Sequence, residues 1–467
     1  MRFTTLATVF LVACSGPNRR AGEDAAVPDG AVDVGPDGDA DDVTSDADAD
    51  PPWVPPDGGA LTPEEVPNCG DGVLDPGEQC DDHNRLNGDG CDWLCRLGNG
   101  EPPPEPDPTV SDYAPSGDPV PADDVVGVVR TAIQLPLSWS GTQFATAHLS
   151  SPDDNLRFHR FDASGRELDS DWTYPLGGSE DKTWDLVWTG REYGLFCVIW
   201  REGVYFLRLD ETGKPLGNLV LLDSDHDGYY VAADTAPGGY VVTWSHCAPD
   251  DWAVRVLLLA PDGSIDGFPE SLTLPVTICA QGDIASGPGG FGVSMAPTHG
   301  TAQLVRVSDD LADVVTSGRL GEGWPGDVVW TGDRYVTAMD WRRDGDRPHL
   351  GTCVASFSST GVLEAPPYCS RALESTDVAI GARLAVGDGG LALVYRASRA
   401  QRLLFLRTDM FGVPVGPPHD LFDPSEDPIP MTFVDGAAVT WADDAFAVLF
   451  SRAGSTLMLT RVVRAEP

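Results

Sequence analysis

Between residues 223 and 234 the chain reads DSDHDGYYVAAD. Asp223, Asp225, Asp227 and Asp234 fall at positions 1, 3, 5 and 12 of this stretch, and Gly228 falls at position 6. That is the order in which carboxylates wrap a hard cation while a glycine makes the sharp turn between them. The chemistry implied is Ca²⁺ binding with a structural purpose. Three carboxylates converge, the carbonyl of Tyr229 adds a ligand, and Asp234 closes the shell. Two features depart from the pattern: position 12 is the short Asp rather than Glu, and position 9 is Val231.

Cysteines form the second chemical set. Four of them, Cys69, Cys80, Cys91 and Cys95, sit in NCGDGVLDPGEQCDDHNRLNGDGCDWLCR. A segment this small has no core, so two disulfides must hold it, and the spacing alone permits all three pairings. Asp81, Asp82 and Asp89, with Asn84 and Asn87, offer further oxygens for Ca²⁺, or simply the residues of tight turns. The run resembles the Myxococcus cysteine-rich repeat, matching at Cys69 to Gly72, Gly77 to Asp82, Asn84, Asn87 to Cys91 and Cys95, with His83 in place of the usual glycine. The resemblance implies an extracytoplasmic module without catalysis.

At the N-terminus a short apolar run ends in LVAC, Leu11 to Cys14. It is too short to span a bilayer and reads as a secretory signal. It resembles the lipobox of bacterial lipoproteins, which implies acylation of Cys14, a membrane anchor, and residence in the bacterial cell envelope, at the outer membrane. Export permits disulfides elsewhere in the chain.

The formal net charge is −43 over 467 residues. Residues 1–124 carry 28 carboxylates against five arginines, and the remainder carries 45 against 25 basic residues. Both parts would repel phosphate backbones, which excludes nucleic-acid partners. There is no GxSxG, HExxH or phosphate loop, and the eight histidines are scattered. The chain therefore reads as a binding, adhesion or scaffold protein, expected to be monomeric, whose partner is an envelope protein or a glycan. The alternative is a hydrolase or lyase acting on extracellular polysaccharide, with catalytic residues drawn from several repeats.

The elements that would position these groups divide the chain into a signal (1–13), an acidic spacer (14–66), the cysteine-rich unit (67–97), a Pro-rich linker (98–124) and a body (125–467). The spacer is built of Asp, Ala, Gly and Pro and cannot bury enough apolar surface to order itself. The body repeats one pattern. An apolar strand ends in a tight turn and a second strand, as in LVWTGREYGLFCVIW, and a hairpin such as YFLRLDETGKPLGN follows. Equivalent points lie near 139, 188, 235, 286, 330, 386 and 441. Four short strands per repeat of about 49 residues give an all-β, seven-bladed β-propeller.

The last repeat lacks its fourth strand, and VVGVVRTAIQL, Val125 to Leu135, is expected to supply it and close the ring. The aromatic stripe Trp139, Trp188, Tyr193, Trp330, Tyr335 and Trp441 is expected to pack between blades. Strand parity brings Cys247 to the same rim as Cys279, and Cys353 to the same rim as Cys369, as two disulfides. Cys197 is left as a buried free thiol.

Overall fold

A computed structural model describes residues 78, 80, 95, 113–115, 120–121 and most of 135–464, with its gaps at connections between strands. Among these residues every regular element is a strand. Seven antiparallel sheets follow one another, and each begins with an innermost strand: Ser138–Trp139, Lys182–Trp188, Gly228–Ala236, Asp283–Gly287, Gly321–Trp330, Ala379–Gly387 and Ala437–Ala442. Each innermost strand touches the next, and the seventh touches the first, so the sheets close into a seven-bladed propeller.

The core is divided in the way a ring requires. Among the described residues each blade-to-blade seam holds its own large apolar cluster. Phe196 and Phe206 of the second blade meet Tyr240 and Trp244 of the third, for example. A blade's middle strands are thus covered on both faces, which is why Tyr193–Ile199 is buried along its whole length and reads as an unbroken apolar run. The aromatic stripe lies in these seams. Tyr193 and Tyr335 are fully buried, and Tyr335 rests on Gly292 of the preceding blade. Trp188, Trp330 and Trp441 pack against their own blade's Tyr193, Tyr335 and Phe446 at 4.6–4.7 Å between centroids.

Ring closure by an N-terminal strand holds, and the described pairs come from further upstream than the expected Val125 to Leu135, of which all but Leu135 lies outside the described residues. Tyr113–Pro115 and Val120–Pro121 pair with Thr456–Arg464, Tyr113 facing Arg464 and Val120 facing Leu459. The closing strand therefore comes from the stretch read as a Pro-rich linker. Prolines are tolerated there because the strand is an edge. Tyr113 supplies the fixing contact. Its ring is buried between the sixth and seventh blades, 6.3 Å from Phe405 and 6.0 Å from Phe446. The Arg407 guanidinium lies 5.5 Å from its centroid, and its hydroxyl donates to Asp388. Leu135 is buried instead at the seam of the seventh and first blades.

Candidate functional site

The residues that recur in chemistry, as opposed to packing, are aspartates on the innermost strands. In the second blade, Asp185 Oδ2 accepts the Ala233 amide of the third at 2.8 Å, while Oδ1 accepts the Leu186 amide at 2.8 Å. In the third, Asp234 Oδ2 accepts the Ser286 amide of the fourth at 2.7 Å, and Oδ1 accepts the Thr235 amide at 2.7 Å. Asp283 Oδ2 of the fourth accepts Val328 N of the fifth at 2.7 Å. Asp327 of the fifth accepts Leu384 N at 3.0 Å and Arg383 Nη1 at 2.6 Å, both from the sixth. Arg383 Nε then donates to the Ala437 carbonyl of the seventh at 3.2 Å. Five consecutive seams are each bridged by at least one charged side chain.

Innermost strands lie along the propeller's axis, and these four aspartates keep part of their surface accessible there. Burial pushes the Asp185 carboxyl up to about 6, against the lowering effect of its two amide donors, with the charges of Asp327 and Asp234 adding to the rise. Burial and then the Asp327 charge hold Asp283 well above the ordinary range, and burial raises Asp234. Asp340, on the second strand of the fifth blade, accepts Gly381 N at 2.8 Å, and burial lifts it to about 6. Arg383 is the cation that Asp327, Asp283 and Asp340 share, and it is itself buried.

A second buried titratable group sits at the seam between the first and seventh blades. His148 has no exposed surface, stacks on His159 with centroids 4.7 Å apart, and has no hydrogen-bond partner for either ring nitrogen. His159 Nδ1 meets Glu167 Oε1 at 2.5 Å. Burial, then the neighbouring His159 and Arg157, hold His148 well below the usual imidazole range, so the ring is neutral.

The described residues of the expected calcium loop have partners within the fold. Asp234 lies near the far end of the strand Gly228–Ala236, roughly 20 Å from the turn at 3.3 Å per residue, with both oxygens holding backbone amides. It cannot close a shell at that turn. The Tyr229 carbonyl accepts Thr183 Oγ1 at 2.6 Å, Asp223 pairs with Arg255 at 3.3 Å, and the Asp227 carbonyl accepts Cys247 N. Asp225 lies outside the described residues. Among the described residues no cluster of three or more His, Cys, Asp or Glu is arranged to hold a metal.

Cys353 and Cys369 face each other across adjacent strands and form a disulfide. Cys247 is disulfide-bonded, while its expected partner Cys279 lies outside the described residues. Cys80 and Cys95 each take part in a disulfide, and the Cys80 amide donates to the Cys95 carbonyl at 3.2 Å. Cys69, Cys91 and Cys14 lie outside the described residues. Cys197 is a buried free thiol.

Asp185, Asp283, Asp327, Asp340 and Arg383 are absent from the sequence reading. A signal for them exists, since Asp185, Asp234 and Asp283 stand 49 residues apart, the repeat length itself.

No family model matches the chain. Pappalysin-1 of Homo sapiens is 63% identical over 30 residues, which are 6% of this chain and 2% of that protein. Among solved structures, the SapL1 lectin in complex with alpha methyl fucoside aligns at a TM-score of 0.42 and 10% identity, covering 62% of this chain and 97% of the lectin. An Aleuria aurantia lectin AAL mutant in complex with Fucalpha1-6GlcNAc aligns at 0.41 and 11%, covering 60% and 93%. A prolyl endopeptidase aligns at 0.41 and 14%, covering 73% of this chain and 52% of the enzyme. Likenesses this distant carry nothing about ligands.

Proposed function

We propose that this chain is a lipid-anchored binding or scaffold protein of the bacterial cell envelope that presents one face of its propeller to a protein or a glycan. The observation that carries the reading is the use made of the recurring residues. The axial aspartates, Arg383 and the seam aromatics are engaged in holding blade to blade, each with its hydrogen bonds or packing partners. Variety is left to the connections, whose sequences run from SSPDDN to RRDGDRPHL and DPSEDPIPMTFVDG. A rigid frame carrying unlike loops suits recognition.

In this reading Cys14 is acylated, the acidic spacer carries the cysteine-rich unit and the propeller away from the lipid, and the disulfides suit an exported protein. Calcium at the connection between the second and third blades would be held by Asp223, Asp225 and Asp227 without Asp234. The test takes the chain from residue 98 onward, without its anchor, over a glycan array and a panel of purified envelope proteins. Retention of a defined glycan or protein, lost when one rim's loops are exchanged, supports the reading. Retention of none overturns it. Cys14→Ser should move the full chain out of the membrane fraction.

A further inference from the structure

Four carboxylates of the innermost strands, with Asp340 one strand further out, stand against one guanidinium, and their arrangement is uneven. Arg383 contacts Asp327 directly and acts electrostatically on Asp283 and Asp340, whereas among the described residues no cation is paired with Asp185 or Asp234. The innermost strands of the first and seventh blades, Ser138–Trp139 and Ala437–Ala442, bring no titratable side chain to the axis. The other five innermost strands also carry Lys182, Tyr229, Tyr230 and Glu322, all near their starting ends. Negative charge at the axis is therefore not balanced by the groups around it.

Two effects compete at each carboxylate. An ionised carboxylate accepts a neighbouring blade's amide more strongly than a neutral one does. Against that stand the loss of hydration and the repulsion from the other carboxylates across the axis. For Asp185, which has two good amide donors and no cation, desolvation outweighs the hydrogen bonds.

We propose that the axial carboxylates are a proton-operated lock on the ring: protonated in mildly acidic surroundings, they bridge neutral, tight seams, and ionised in alkaline surroundings, they repel one another and loosen the seams they bridge. The sign follows from linkage. The folded chain holds these protons more tightly than the unfolded chain, so their contribution to stability is complete below the ordinary carboxylate range and is lost as pH rises through about 6. Loosening would fall on the second to sixth blades and spare the seam between the seventh and first.

The test is the melting midpoint of the full chain, measured between about pH 5 and about pH 7.5, in wild type, Asp185→Asn and Asp283→Asn. Asparagine retains an oxygen for the neighbouring amide, so the bridge persists without its charge. The expected result is that each axial variant reduces the alkaline loss of stability, by on the order of 3 °C. Asp333→Asn is the control, because Asp333 is an exposed carboxyl held down to about 2 by its hydrogen bond from Arg334, and its loss should not reduce that alkaline loss. An alkaline loss equal in wild type and both axial variants overturns the proposal. Should Asp283→Asn fail to fold, infrared spectra of wild type and Asp185→Asn at about pH 6 decide the matter. A protonated carboxyl band that weakens in Asp185→Asn supports the lock, and its absence from wild type overturns it.

Discussion

Gly213 of the second blade lies against Phe158 of the first so closely that a β-carbon on it would overlap the ring. The same relation joins Gly263 to Phe206 and Gly412 to Val354. In each case the turn between a blade's third and fourth strands keys into the third strand of the blade before it. These turns have a common build. Asp210 Oδ1 accepts Thr212 N and Lys214 N at 2.8 and 3.0 Å, and Asp409 Oδ1 accepts Phe411 N and Val413 N at 2.8 and 2.9 Å. Gly213 and Gly412 hold φ at +84° and +87°. The fourth blade substitutes Leu311 at +58°, buried in the seam with the third blade.

Gly213→Ala should therefore cost more than left-handed backbone strain alone. Gly238, at φ +86° with open space around it, provides the comparison. Gly238→Ala should lose about 1–2 kcal/mol, and Gly213→Ala about 1–3 kcal/mol beyond that. Urea unfolding of the two variants measures the difference, and equal losses would show that the turn is not keyed.

Removal of Tyr113 should open the ring at its closure. Tyr113→Ala takes away a buried ring between Phe405 and Phe446 and the hydroxyl's bond to Asp388, a loss of about 3 kcal/mol. A chain beginning at Val125, which lacks both closing segments, should melt lower than one beginning at residue 98 and should self-associate through the bare edge of Thr456–Arg464. Thermal melts and light scattering of the two chains check this. Identical behaviour would assign the closing role elsewhere.

His148 should oppose the axial carboxylates in its response to pH. Its imidazole is held neutral in the fold, so protonation favours the unfolded chain, and the stability it contributes is lost as pH falls below about 6.5. His148→Leu should flatten the acid side of the stability profile relative to wild type. An unchanged acid limb in denaturant titrations would count against burial of a neutral ring.

Calcium binding at the connection between the second and third blades should not involve Asp234. A chelator should lower the melting midpoint, Asp225→Ala should abolish that response, and Asp234→Asn should preserve it while lowering the midpoint through loss of the Ser286 bridge. Loss of the chelator response in Asp234→Asn would restore that residue to the ligand set.

The repeat made the architecture readable because blade after blade must bury the same faces, so the period, the blade count and the placement of aromatics followed from spacing. The Cys353 and Cys369 pairing followed from strand parity for the same reason. Two features escaped. The closing pairs at YAP and VP carry little strand propensity, because closure there is held by one ring fitting between two blades, a tertiary contact that propensity does not register. Asp234 was read by its neighbours in sequence as part of a loop, when its position within the repeat, 49 residues from Asp185 and from Asp283, marks it as one of a series facing the axis.

The joint at Tyr113–Pro115 has a bearing on biogenesis. Its partner, Thr456–Arg464, follows the whole of the intervening propeller in the chain, so the final sheet cannot be completed until that propeller has left the ribosome. At roughly 5–20 residues per second that leaves the early strand waiting for tens of seconds. Throughout that interval the nascent chain exposes raw sheet margins to other molecules, so its yield in a cell should depend on holdase chaperones and on the speed of translation more than the stability of the finished protein would suggest.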